Sequence, residues 1–340
     1  MAFQPVQPFA ETALLRRRPE KAKIVPYRQG IWGMSAKLID RSPRKLFLSS
    51  LRLVSRWIEA FGLLMALSTF RLLPLDWASA CGGRLGRTFG RFLPASRYAV
   101  NNLRNAFPEK STAEIGVILA DMWGNLGRVV GEYPHLGSMR LYGRGNRVEV
   151  IHAEHFDRLR DDGKPGIFFS AHIGNWELLS LESTRRGLPL ARIYRAPNNP
   201  LVDRLIRRTR RKIAGELLPK GGRGARRAIA TMQRGGHLAM LVDQKMNNGI
   251  AVPFFGRPAM TAPALAQLAL RFDCPVVPAR VVRLNGAHFQ LIVYPPLEVA
   301  KTGDREHDTL TLMTQVNTMI EGWIRERPEQ WLWLHNRWPT

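Results

Sequence analysis

From about residue 146 onward, short apolar runs alternate with amphipathic stretches, and this alternation restricts the possible folds more than any other feature of the chain. The runs "RVEVIH", "GIFFSA", "LARIY", "HLAMLVD", "VPFF", "PVVPARVVRL" and "HFQLIVYP" have the length and the β-branched and aromatic content of strands. Between several of them lie "EHFDRLRD", "NWELLSLESTRR", "NPLVDRLIRRTRRKI", "GRGARRAIATMQRG" and "APALAQLALRF", whose apolar residues recur at helical spacing. A strand, a helix and a second strand return the chain to one sheet in parallel, with helices covering its faces. The expected fold class is therefore α/β, a largely parallel or mixed sheet flanked by helices. The last strands are open to antiparallel pairing.

The first part of the chain reads differently. Residues 44–131 carry helical periodicity, as in "SSLRLVSRWIEAFGLLMALSTFRLL" and "TAEIGVILADMWGNLGRVVGEY". Ser111 or Thr112 starts the latter helix, with Glu114 in its first turn, and Pro74, Pro94, Pro108 and Pro134 punctuate the region. The stretch 57–77 is apolar, but Glu59 and Arg71 interrupt it and its charge-free run is only 60–70. A spanning helix needs about 20 mostly apolar residues. Arginines at its flanks can snorkel, so the segment is expected to associate with a membrane, either spanning it or lying in the interface. A buried core helix is the alternative. The expected organisation is a mobile basic tail over 1–43, a helical region over 44–135 with the membrane-associating helix at about 57–77, and an α/β core over 136–340. The core and the preceding helices make one catalytic domain.

The net charge of +24, from 51 Lys and Arg against 27 acidic residues, calls for anionic partners. The apolar fraction of 45% belongs to a folded chain. Cys81 and Cys274 are far apart and form no C-x-x-C pair, so neither a disulfide framework nor a metal site is expected. No nucleic-acid reader motif is present.

Two histidines each precede an acid by five positions, His172 with Glu177 and His152 with Asp157. Chance alone gives about one such spacing in a chain like this, so context must separate them. His172 follows the buried-strand run "GIFFS" and precedes a helix, which is where open α/β sheets place their ligands. Within a helix, a spacing of five would set the two side chains about 140° apart. In a loop entering a first turn, with Gly174 permitting the bend and Asn175 placed to cap the helix, they can converge. His152 leads only into the polar amphipathic helix "EHFDRLRDDG". No G-x-S-x-G elbow, Walker loop or H-E-x-x-H motif occurs. A histidine base without an enzyme nucleophile points to deprotonation of a substrate hydroxyl.

"SAHIGNWE" resembles the H-x4-D/E motif of the lipid A biosynthesis acyltransferases, the lauroyl and myristoyl transferases within the wider glycerolipid acyltransferase group. "NNLRNAFPE", "IYRAPNNPLVDRLIRRTR", "GGHLAMLVDQ" with "VPFFGRPAMT", and "PEQWLWLHNRW" resemble further family blocks, in order, over roughly residues 45–338. The resemblance implies a glycerol-3-phosphate acyltransferase-like fold. It implies transfer of a fatty acyl group from an acyl carrier protein thioester to a hydroxyl of a phosphorylated glycolipid, at the cytoplasmic face of the inner membrane. His172 is then the general base and Glu177 the group that orients it. Arg195, Arg210 and Asp243 match functionally important family positions and are read, with Asn175, as substrate-binding residues. Oxyanion donors are sought at the backbone near Gly174 and Asn175, or at Arg195. The expected partners are acyl carrier protein, anionic membrane lipid and the glycolipid acceptor, with no nucleic acid, metal or cofactor. His335 and the tail tryptophans read as packing elements outside the site, with a place for the aromatic rings at the membrane interface as the alternative, and "VPFFG" as a core strand, with the lining of an acyl-chain groove as the alternative. Two other readings stand beside this one: an acyltransferase for another lipid acceptor (a lysophospholipid, a mannosylated or an amino-acid lipid), and a non-catalytic basic membrane-binding protein.

Overall fold

The computed structural model describes residues 43–338 other than 195, 211, 212 and 214, with the backbone alone over 43–52. The basic tail expected over 1–43 lies outside these residues except for Pro43. The chain divides into two compact units, Met1–Ser49 and Ser50–Thr340. In the first, the described residues open a helix; the second holds everything that follows.

Helix α1, Pro43–Leu72, ends one residue before the Leu73–Pro74 pair, because proline lacks a donor and restricts the residue preceding it. The apolar helix therefore stops five residues short of Trp77. The stretch Leu53–Leu72 is 20 residues long, and its length and composition suffice to cross a membrane. At about 1.5 Å per residue it spans about 30 Å, the thickness of a bilayer core. It is not a core helix: Trp57, Ile58, Phe61, Leu64 and Met65 all face outward. The two charges that interrupt its apolar run are engaged with the rest of the unit. Glu59 accepts a 3.0 Å hydrogen bond from Asn199, and Arg71 donates to the Pro134 carbonyl and the Ser138 hydroxyl.

Helices α2 (Leu75–Phe89), α3 (Ser96–Ala106) and α4 (Thr112–Glu132) follow. The capping box expected at Ser111 and Glu114 is present in both directions. Helices α2 and α4 cross with backbones nearly touching: a Cβ on Gly127 would collide with the Gly82 carbonyl, and one on Gly82 with the Gly127 carbonyl.

The strands are β1 (Val148–Ile151), β2 (Gly166–Ser170), β3 (Leu190–Tyr194), β4 (Leu217–Pro219), β5 (His237–Leu241), β6 (Lys245–Phe254), β7 (Arg257–Thr261), β8 (Val276–Asn285) and β9 (His288–Val293). Helices α5 (Glu154–Asp161), α6 (Glu177–Arg185), α7 (Pro200–Arg210), α8 (Gly222–Gln233), α9 (Ala264–Phe272) and α10 (Arg305–Glu326) connect or cover them. Seven strands form one sheet in the order β1-β9-β8-β2-β5-β3-β4. Every neighbouring pair is parallel except β8 and β9, so the antiparallel exception falls among the last strands. Strands β6 and β7 form a separate hairpin, of which only "VPFF" was visible as a strand in the sequence. Three-residue β4 is too short to read as a strand, and Pro258 and the polar residues around it hide β7.

Central strand β2 is buried at every position. Its side chains alternate between two cores. Ile167 and Phe169 join Leu238, Met240, Met313 and Trp323 on one face, while Phe168 joins Phe156, Leu178 and Leu179 on the other. Phe254 and Phe255 of the "VPFFG" block are buried with Trp331, Trp333 and Trp338. The tail tryptophans thus pack inside the fold.

The α2–α4 crossing gives a paired test. Gly127→Leu should lower the unfolding free energy by about 3 kcal/mol, since the extra atoms have no space. Gly116→Ala, on the open side of α4 with nothing within 4 Å, should raise it by about 0.5–1 kcal/mol. Denaturant melts of the two variants in detergent check both signs.

Candidate functional site

Parallel strands β2 and β5 are in register, with Ser170 opposite Leu241. Two residues beyond each, at the carboxyl edge of the sheet, stand His172 and Asp243. The shared offset makes them neighbours. His172 Nδ1 lies 2.9 Å from Asp243 Oδ1, and the His172 backbone N–H donates to Oδ2 at 2.9 Å. The Trp331 indole N–H donates to the same Oδ2 at 2.7 Å. Burial alone would raise the Asp243 carboxyl, but the His172 charge and these three donors outweigh it and hold the group well below the usual carboxylate range. The carboxylate is ionised and accepts only, which assigns the imidazole proton to Nδ1.

The other ring nitrogen then carries a lone pair. Gln244 Nε2 approaches His172 Nε2 at 3.3 Å and His335 Nε2 at 2.8 Å, so one amide NH2 group donates to both rings. The two imidazole centroids are 6.2 Å apart. His335, read from the sequence as a packing residue, therefore stands at the site. Gln244 and Trp331 belong to it as well and were missed. Both lie inside quoted family blocks, "LVDQ" and "WLWLHNRW", and that was the only signal the sequence offered for them.

The turn that carries His172 is held from behind. Gly174 has φ +59°, and a Cβ there would collide with the Val281 carbonyl. Its N–H donates to the Gln330 carbonyl and the Ile173 segment bridges to Trp331, so the C-terminal segment straps the turn. The Gly174 N–H is thus already engaged and not a free oxyanion donor. Asn175 does not cap α6: its side chain is fully buried and donates to Glu132 Oε2 at 2.8 Å. Glu132 also takes Arg283 through both of its oxygens, and Arg283 Nε donates to Asn125. Asn175, expected to bind substrate, belongs to this buried network.

Glu177 corrects the expectation most sharply. It opens α6 but is only 1% exposed, and its oxygens accept from Arg192 at 2.8 Å and from Arg210 rather than from His172. Burial pushes this carboxyl up, and the two guanidiniums more than offset it, leaving it at about 2. Arg210, expected to bind substrate, points its cation at Glu177 and lies 5.0 Å over the Tyr194 ring. Arg192 was not singled out from the sequence. Its Nε and Nη2 have no partner. Arg195 lies outside the described residues.

The second histidine–acid pair separates cleanly. His152 is exposed beside Glu154, and Asp157 pairs with Arg160 and Arg186. Among the described residues no group of three or more His, Cys, Asp or Glu side chains is arranged to hold a metal.

The chain is 25% identical to "Lipid A biosynthesis myristoyltransferase" of Escherichia coli (strain K12) over 273 residues, 79% of this chain and 83% of that one. It is 24% identical to "Lipid A biosynthesis acyltransferase" of Haemophilus influenzae (strain ATCC 51907 / DSM 11121 / KW20 / Rd), with 82% and 85% covered. Against "Lipid A biosynthesis lauroyltransferase" of Escherichia coli (strain K12) the identity is 26%, with 78% and 86% covered. Residues 44–340 match the family described as "Bacterial lipid A biosynthesis acyltransferase". The chain belongs to that family, and it is an acyltransferase.

Proposed function

We propose that this acyltransferase moves a fatty acyl group from an acyl carrier protein thioester to a hydroxyl of a phosphorylated lipid A precursor. His172 is the base, and Asp243, not Glu177, is the carboxylate that orients it. The observation that carries this reading is the contact between His172 Nδ1 and Asp243, which leaves Nε2 as the proton acceptor.

In this reading the acceptor hydroxyl takes the position Gln244 now holds at Nε2. His172 removes its proton as the oxygen attacks the thioester carbonyl carbon. Asp243 stabilises the imidazolium that forms, as in hydrolase triads. The displaced Gln244 amide becomes a donor beside the reacting oxygens, where negative charge develops. When the tetrahedral intermediate collapses, the C–S bond breaks and the leaving thiolate recovers the proton from His172. The products are an ester and a free carrier thiol.

Glu177, Arg192 and Arg210 carry a net charge of +1. The surplus charge favours an anion nearby, and the acceptor's phosphate is the candidate. On this reading α1, long and apolar enough to cross a membrane, anchors the chain at the inner membrane with the catalytic unit on the cytoplasmic face. The +24 charge suits anionic headgroups and an acidic carrier protein.

Incubation of the purified protein with acyl carrier thioester and lipid A precursor, read by mass spectrometry, should yield a product heavier by one acyl chain. Acylation of a lysophospholipid instead, with the lipid A precursor untouched, overturns the acceptor assignment. His172→Ala and Asp243→Asn should each lower kcat by about 10³-fold or more, with KM little changed. Wild-type turnover in Asp243→Asn would return the orienting role to another group.

Glu177→Gln is expected to act first on stability. Its carboxyl sits at about 2 against an ordinary 4.5. A depressed carboxyl stabilises the fold above its unfolded value, and that stability is lost as pH falls through the folded value. The variant should be about 3 kcal/mol less stable at neutral pH, because two guanidiniums lose their partner. That gap should close between about pH 4.5 and pH 2 in denaturant titrations. A gap independent of pH would sever Glu177 from the two arginines.

A further inference from the structure

Helix α2 has three faces. Ala78, Ser79, Gly82 and Gly83 are buried, and the glycines lie against α4. A second face carries Trp77, Leu85 and Phe89, continued by Phe92 in the turn after the helix, and these are 53–70% exposed. At about 100° per residue, Trp77, Leu85 and Phe89 cover an arc of about 120°. Arg84 and Arg91 fall within about 40° of Trp77 on the same wheel. An exposed apolar stripe bordered by arginine is the pattern of a helix lying in a bilayer interface.

The third face opens on a cleft of about 320 Å³ between α2, α4, the β8–β9 turn and the segment after α10. Arg84, Arg87, Arg128, Arg283 and Arg327 line it, with Asp121 and Glu329. The charges do not cancel. Arg87 pairs with Asp121, and Arg283 with Glu132. Arg84 and Arg327 have no ion-pair partner among the described residues, and Arg128 donates to the Ser79 hydroxyl at 3.2 Å. Of the lining charges, that leaves Arg84, Arg128 and Arg327 against Glu329. The Arg128 stem runs across the bare backbone of Gly83, where a Cβ would meet its Cγ at 2.8 Å. Burial and the Arg283 charge, opposed by Glu132, push the Arg128 group below its ordinary value. Crowded cations around an open, solvent-filled cleft are the setting that a phosphate oxyanion neutralises.

We propose that this cleft holds the phosphate of an anionic phospholipid headgroup while Trp77, Leu85, Phe89 and Phe92 enter the acyl layer beside it. Helix α2 is then a second membrane contact. The proposal rests on the membrane reading of α1 only in that α1 brings the chain to the bilayer. The lipid source follows from the apolar stripe on the same helix, which a site for free phosphate does not need. The cleft also touches the catalytic turn: Asn125 and Gln330 line it, and both bond to Gly174.

The test uses the full chain with Cys81→Ala and Cys274→Ala and one nitroxide label, at Met65→Cys, Phe89→Cys or the α4 control Val117→Cys. On phosphatidylcholine vesicles containing phosphatidylglycerol, labels at 65 and 89 should enter hydrocarbon while the label at 117 stays aqueous. Arg84→Gln/Arg128→Gln/Arg327→Gln should withdraw the label at 89, leave that at 65 inserted, and weaken binding by about fivefold or more per arginine. Binding to pure phosphatidylcholine should not change. Arg84→Gln/Arg327→Gln, confined to exposed side chains, should show the same trend if the loss of Arg128 disturbs the α2–α4 packing. A label at 89 that stays aqueous while that at 65 inserts overturns the inference and leaves the α1 reading standing; two aqueous labels overturn both. An equal loss in Arg204→Gln/Arg208→Gln/Arg223→Gln reduces the effect to bulk charge and ends the proposal. So does withdrawal of the label at 89 by inorganic phosphate at matched ionic strength. So, too, does a triple variant that keeps its phosphatidylglycerol preference and loses acyl carrier protein binding instead.

Discussion

The register between β2 and β5 sets the contact between His172 and Asp243 on which the proposed chemistry depends. Ser170 faces Leu241 across a parallel pair, so the residues two positions beyond each strand leave the sheet together. One of them is His172 and the other Asp243. A slip of one residue in either strand would turn every side chain of that strand to the opposite face and separate the pair. The two alternating cores on β2 and its neighbours resist that slip, since it would exchange Phe168 with Phe169 between two packed interiors. The distance between His172 and Asp243 is therefore fixed by hydrophobic packing a few residues back along each strand, at Phe168, Phe169 and Met240, rather than at the pair itself. The cavity cost of disturbing such a core makes it a firm ruler.

Glu177 plays a different part from the one its spacing suggests. It begins α6 directly beneath the catalytic turn, yet it is buried and holds Arg192 from β3 and Arg210 from α7. A buried carboxylate is tolerable only with compensating charge, and two guanidiniums supply it. The consequence is mechanical as well as electrostatic. The start of α6, the middle of β3 and the end of α7 are drawn to one point next to the site, and the surplus positive charge stays there. Removing Glu177 would therefore disturb the site although its carboxylate does not touch His172, and loss of activity alone cannot distinguish an orienting acid from this clamp. Stability as a function of pH does distinguish them.

The parallel sheet, most of its strands and the helices between them were legible in the sequence, because each carries its own period of hydrophobicity. The position of His172 was legible for the same reason: a buried run ends there and a helix begins. Its partner was not. The chain offers Glu177 five residues away and Asp243 seventy-one residues away, and sequence proximity favours the wrong one. The pairing of β2 with β5 depends on strand order, which local pattern does not encode. His335, Gln244 and Trp331 were hidden for a related reason, since they reach the site through tertiary packing of a tail with little periodicity. Short β4 and the hairpin strand β7 are strands by virtue of their partners rather than their composition.

The tail shows how a site can be completed from a distance. Trp331 donates to Asp243, Gln330 holds Gly174 and the Arg283 backbone, and His335 shares the Gln244 amide with His172. Trp333 and Trp338 anchor this strap in the aromatic cluster with Phe254 and Phe255, while Asn102 of α3 donates to the Trp333 carbonyl. Helices α3 and α4 and the segment after α10 are thus packed against each other around the turn that carries His172. Whatever positions α1 and α2 at a lipid surface also positions α4, and through Asn125 and Glu132 it positions the turn that carries His172. An acceptor whose acyl chains stay in the bilayer can present its hydroxyl only at a fixed height above it. On the proposed reading, a base tied by this short chain of hydrogen bonds to α4, and so to the helices read as membrane contacts, meets that requirement without a moving part.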